Sequence, residues 1–306
     1  MSALAEIQRR VQATVALIEQ NERAAIQPGA PSSVFVNIRA LEKLRRRLER
    51  EFDQLAREEE LEVCRYSLLV DAERVTLNSI AAAWQDFQKL LTLTYDAVVN
   101  GPRDKGRARA AERDATSFGF GYTFTGSVGV VVTLPSDRLD SHEPSLVAAT
   151  ETLFALAKAK TTEQVSEFAR RLGAQPVRAM YKWADIHVQN QLGAGIEWLT
   201  PDDRKISLLV QKEELATLRD VIAQTSQSEE TILEATGILR AVDTDNHTFK
   251  LVTEDEKIVG KYEAAIKNDE IISVNATYTA TIRRTTTIQY STEEVKIVNF
   301  LLSIKP

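Results

Sequence analysis

Five cations, Arg39, Lys43, Arg46, Arg50 and Arg57, recur at intervals of four, three, four and seven residues. At 100° per residue they fall close to one meridian of an α-helix. A meridian of fixed positive charge attracts anions, either phosphates or an acidic protein surface. Leu41, Leu44, Leu48 and Phe52 fall on the opposite side, so one helix can bury one face and present the other. Glu42, Glu49, Glu51 and Asp53 are interleaved and can neutralise the bases by local pairing. The balance over residues 1–62 is ten bases against eleven acids. A second basic stretch, residues 101–117, contains Arg103, Lys105, Arg107 and Arg109, has a net charge of +2, and reads as an exposed loop.

Residues able to make or break bonds are dispersed. His142, His187 and His247 are far apart in sequence, and none shares metal-ligand spacing with Cys64. No serine lies in a Gly-x-Ser-x-Gly elbow. Pro201-Asp202 followed by Val210-Gln211-Lys212 is superficially the pattern of a metal-dependent nuclease, but valine stands where a carboxylate ligand is required. The glycines of Phe118-Gly119-Phe120-Gly121-Tyr122-Thr123-Phe124 suggest a phosphate cradle only until the next segment is read. A cradle needs a helix after the glycine turn, and here a second strand follows. No catalytic residue, metal site or cofactor is assigned, and the balance leans away from an enzyme. A hydrolase with a site in the central region is the second alternative; it requires His142, His187 and an acid such as Glu197 to meet.

The elements that carry these residues follow from periodicity. Leu4, Ile7, Val11, Val15 and Ile18 mark one helix over residues 2–26, and the Leu41–Phe52 stripe marks a second to about residue 60. The Pro28-Gly29-Ala30-Pro31 break between them predicts an antiparallel helical hairpin. Further expectations are a strand at 63–70, a helix at 76–100, a hairpin of strands at 118–134 turning at Thr125-Gly126-Ser127, and helices near 144–159, 162–172 and 176–191. Gly173 and Gly193 suit the left-handed position after a helix. Strands at 194–199 and 205–210, a helix at 211–224 and a linker at 225–228 complete the body. The four aromatics of 118–124 are expected on one strand face, covering the 76–100 helix.

Past residue 228 the texture changes to Thr- and Ile-rich alternation, with six candidate strands: 234–242, 247–253, 257–262, 271–282, 285–290 and 295–304. The stretches Thr236-Gly237-Ile238-Leu239-Arg240-Ala241-Val242-Asp243, Thr248-Phe249-Lys250-Leu251 and Ile258-Val259-Gly260 resemble small OB- or SH3-like barrels appended to uncharacterised bacterial proteins. The resemblance covers about a quarter of the chain and implies a bacterial or phage-related origin and a binding role. With nine bases against thirteen acids, residues 229–306 are a poor match for a polyanion.

The fold class expected is α+β: a helical hairpin (1–62), a central α+β body (63–228) and a small all-β barrel (229–306). A net charge of −6 gives no general attraction to nucleic acid. One cysteine and an N-terminus without an apolar run suggest the cytoplasm. No apolar run reaches the length of a membrane span. The function expected is a non-enzymatic interaction or assembly protein, homo-oligomeric or docked to a protein partner through its hairpin, with Leu41, Leu44, Leu48 and Phe52 as interface. The alternative is a nucleic-acid-associated protein, possible in antiviral defence, acting through the Arg39–Arg50 stripe and the 101–117 loop.

Overall fold

A computed structural model describes residues 2–70, 75–102, 104, 106–124, 128–136, 145–262, 273–291 and 295–306. The chain is α+β and divides into two compact units, Met1–Ile222 and Ala223–Pro306.

The first unit opens with a helical hairpin. In α1 (Ala3–Ala25) the Ser2 hydroxyl caps the helix by accepting from the Ala5 amide. Gly29, at φ +83°, and Pro31 at the N-cap of α2 (Ser32–Glu58) turn the chain between the two. A five-stranded antiparallel sheet follows, in the order β2 (Gly119–Phe124), β3 (Val128–Pro135), β1 (Leu61–Val70), β4 (Leu192–Leu199) and β5 (Lys205–Val210). The base of the hairpin covers one face: Ile7, Val11, Leu48 and Phe52 form one core with Val63, Tyr122 and Val131. The opposite face carries Tyr66, packed on Phe87 of α3 (Leu77–Asn100) and hydrogen-bonded to Trp183 of α7 (Ala174–Gln189). Burial on both faces explains why apolar residues of β1 occur on both sides of the strand, with Val63 toward the hairpin and Cys64, Tyr66 and Leu68 toward the helices. α5 (Ser145–Ala157), α6 (Thr162–Leu172) and α8 (Lys212–Gln224) match the expected helices.

Several local expectations are corrected. A bulge between Phe120 and Tyr122 shifts the β2–β3 register, so the four aromatics divide two and two. Phe118 stacks on Phe87 of α3, whereas Tyr122 packs edge-on against Phe52 of α2. Gly121 sits at the bulge, where a Cβ would lie 2.7 Å from the Val131 carbonyl oxygen. Gly193 lies inside β4; the left-handed residue after α7 is Gln191, at φ +56°. The 101–117 segment is not all loop, since α4 (Ala110–Ala115) forms within it and buries Glu112 and Thr116 at its end.

The second unit is a closed five-stranded barrel in the order β10 (Val295–Lys305), β8 (Lys257–Tyr262), β7 (Thr248–Val252), β6 (Ser226–Asp243) and β9 (Thr277–Gln289), returning to β10. Its core holds Leu239, Phe249, Leu251, Ile258, Ile282 and Leu301. The expected linker at 225–228 is largely strand, because β6 begins at Ser226 and pairs with Gln289. The two strands expected on either side of Arg283-Arg284 are one. Arg283 lies over the Phe300 ring and Arg284 bonds Asn299 and Glu256, so both arginines are held within continuous pairing. Among the described residues, no helix is long and apolar enough to cross a membrane.

Candidate docking surface on the helical hairpin

The hairpin is anchored at one end only. Every residue from 19 to 47 is at least partly exposed, whereas the base is packed on the sheet. Beneath the base, Arg65 of β1 forms ion pairs with Asp53 of α2 and, at 3.5 Å, with Glu197 of β4. Lys205 adds a contact of 2.5 Å to Glu197. Burial pushes the Asp53 carboxyl above its ordinary range against the pull of Arg65, and burial likewise raises Glu49 against Arg45. This network fixes how α2 sits, so its outer face is positioned from the sheet.

That outer face carries the expected cations. Arg39, Lys43, Arg46, Arg50 and Arg57 are all exposed. Arg57 pairs with Asp203 at 2.6 Å, and the Arg50 guanidinium donates to the Arg46 carbonyl. Among the described residues, Arg39, Lys43, Arg46 and Arg50 make no ion pair, although Glu49 lies close enough to Arg46 to feel its charge. Glu49 pairs with Arg45, off the meridian, and Asp53 with Arg65.

The apolar set divides by position along the helix. Leu48 and Phe52, each 1% exposed, belong to the chain's own core, while Leu41 is half-buried and Leu44 is 39% exposed. The apolar residues offered to solvent are others: Ile26 (84%), Phe35 (50%) and Val36 (65%) at the tip. On a 100° wheel Phe35 and Val36 fall off the leucine stripe and flank the basic meridian. That displacement was the signal in the sequence that marks them as surface residues.

Other expected site residues are scattered. Arg103 and Lys105 lie outside the described residues, as do His142, the Thr125-Gly126-Ser127 turn and the start of the 271–282 strand. Arg107 is exposed, and Arg109 donates to Asn100 Oδ1 at 2.5 Å. His187 is sealed: Tyr66 donates to its Nε2 at 2.9 Å, and its Nδ1–H donates to the Trp183 carbonyl at 2.8 Å. Trp183 Nε1 in turn donates to the Tyr66 oxygen at 2.8 Å. Burial lowers the His187 pKa to about 4, so the ring is neutral, as this hydrogen-bond chain requires. Glu197 pairs with Arg65 on the opposite sheet face from Tyr66 and His187, so those two groups do not form one site. His247 belongs to the barrel unit. Val210, at the nuclease-like position, is buried in the core. Cys64 is buried, and burial pushes its thiol well up, which makes it inert. No group of three His, Cys, Asp or Glu among the described residues is placed to hold a metal.

No protein-family model, curated protein or solved structure matches the chain. Geometry is therefore what bears on function: a basic face on a projecting hairpin, capped at the tip by exposed apolar side chains.

Proposed function

We propose that the protein is a non-enzymatic assembly protein that docks a second copy of its own chain through the distal half of the hairpin. The observation that carries this reading is the absence of any buried residue over 19–47 beside the exposed Ile26, Phe35 and Val36. Apolar side chains clustered at the end of a projecting element mark a surface that is covered in the working state. Charge selects the partner. Residues 1–50 hold nine bases against five acids in a chain of net −6, so the remainder of another copy is the acidic complement. Two identical basic stripes repel, so the contact is heterologous: one copy's hairpin meets a different, acidic surface of the next. Such contacts build rings or open chains. Sedimentation velocity tests this. The wild type is expected to sediment above its 34.2 kDa monomer mass, and Phe35→Asp with Val36→Asp is expected to leave a folded monomer. Equal masses for the two proteins would reject the reading.

One observation favours a second reading, a nucleic-acid-associated protein. The barrel's strands, numbered within the module, close in the order 1-2-3-5-4 with the third and fifth parallel, an order that supports an OB-like reading of the barrel. Its β7–β8 face gathers Lys250 and Lys257, close enough that Lys257, and to a lesser degree Arg240, lower the Lys250 pKa. OB barrels bind oligonucleotides on this face. On this reading single-stranded DNA binds at low salt with a steep log-log salt slope and is lost in Lys250→Glu with Lys257→Glu. Absence of binding at low salt would exclude it.

A further inference from the structure

Away from the hairpin, a cavity of about 460 Å³ opens between α3, the segment leading into α4, and the start of α7. Three cations from three separate elements line it: Lys89 on α3, Arg107 before α4, and Arg113 on α4. All three are exposed, and among the described residues the side chains of Arg107 and Arg113 make no ion pair or hydrogen bond. No Asp or Glu lies among the described lining residues. Of the acids close in sequence to these cations, Asp104 and Glu112 are held by other groups, whereas Asp86 acts on Lys89 and Asp114 adjoins Arg113. Asp104 accepts from the Ala174 amide at 3.0 Å, and Glu112 accepts from Asn100 at 2.8 Å. Asp86, one turn from Lys89, is shared between Lys89 and Lys182.

The floor is built rather than loose. Gln88 of α3 donates to the Thr116 carbonyl at 2.5 Å and accepts from the Phe118 amide at 2.9 Å. The Thr92 and Thr116 hydroxyls bond at 2.7 Å. These contacts fix the C-terminal end of α4 to α3, which holds Arg113 relative to Lys89 without using either charge. Gln85, Ser117 and Gln175 supply neutral polar groups around the cations.

We propose that this cavity binds a small phosphate-bearing ligand, with the phosphate held between Lys89, Arg107 and Arg113. Three positive charges with no carboxylate among the described lining residues match a phosphate monoester or pyrophosphate, and guanidinium forks hold phosphate oxygens in pairs. The volume lies within the roughly 300–1,000 Å³ usual for small-molecule sites. Shape separates this site from a polymer groove. A nucleic-acid strand needs cations spaced along a track; here they converge from three elements on one concavity. The site does not depend on assembly through the hairpin, and the two can fail separately.

Calorimetric titration of the full chain with pyrophosphate, ATP, adenosine and a thymidine 20-mer tests the proposal. Pyrophosphate and ATP should bind and adenosine should not. Arg107→Glu with Arg113→Glu should weaken ATP by about tenfold or more, the scale of losing charged hydrogen bonds. Both side chains are exposed and outside the floor network, so the fold should persist; Lys89→Gln supplies an independent variant if it does not. Arg39→Glu with Arg46→Glu on α2 should leave ATP binding unchanged. The proposal is overturned if neither phosphate probe binds at millimolar concentration. It is equally overturned if the Arg107/Arg113 and Lys89 variants bind as the wild type does. Tighter binding of the 20-mer than of ATP through these same arginines would reassign the site to nucleic acid.

Discussion

The Trp183, Tyr66 and His187 side chains satisfy one another in a buried chain that works only with a neutral imidazole. This has a consequence for pH. The His187 pKa falls from an ordinary 6.5 to about 4 on folding. Below pH 6.5 the unfolded chain takes up a proton that the folded chain refuses, so stability is lost as pH falls from about 6.5 to about 4 and no further below that. The shift corresponds to about 3 kcal/mol. His187→Gln should lose less stability than the wild type across that window by this amount, measured as the difference between urea melts at pH 7 and pH 4. Parallel curves for the two proteins would remove His187 from the account. Tyr66→Phe tests the same chain differently. It strands the Trp183 N–H and the His187 Nε2 in the core and should cost about 2–6 kcal/mol at neutral pH, given about 1–3 kcal/mol per orphaned buried group.

At the scale of elements, the two ends of the hairpin should respond oppositely to truncation. Phe52 is inserted among Val63, Tyr122 and Val131, so Phe52→Ala should cost about 3–5 kcal/mol. Phe35 at the tip has no such core, and Phe35→Ala should change stability by no more than about 0.5 kcal/mol, measured by denaturant melts below the assembly concentration. In the β2–β3 hairpin the Phe124 ring lies across Gly129, where an added Cβ would meet ring carbons at 2.1 Å. Gly129→Ala should therefore displace the Phe124 ring and cost stability alone, and cost less when combined with Phe124→Ala; additive costs would contradict the contact. The helices were legible because their apolar positions keep a 3.6-residue period over many turns. The bulge was not, because alternation assumes an unbroken register and one extra residue at Gly121 reverses every later side chain. The polar start of β6 was equally hidden. There its pairing with β9 shows a cross-strand hydroxyl contact, Ser228 with Thr287, and residues of β6 reach the barrel core only from Leu233 on. The basic meridian of α2 could be read from spacing alone. The Lys89, Arg107 and Arg113 cavity could not, since only folding brings those three elements together.

For the whole molecule, charge and exposed apolar surface are unevenly distributed. A chain of net −6 concentrates its excess of bases in its first fifty residues and leaves the distal half of the same hairpin without a buried residue. Assembly through that surface should be loosened by salt, since its charge attraction is screened over about 10 Å at 0.1 M. The most direct measurement is hydrogen exchange along the full chain at low and high protein concentration. Unpacked helix opens locally and exchanges early. Docking of the tip on a second copy predicts that amides within residues 19–47 become slower to exchange as concentration rises, while those at the hairpin base stay constant. Exchange over 19–47 that is identical at both concentrations would contradict the central claim.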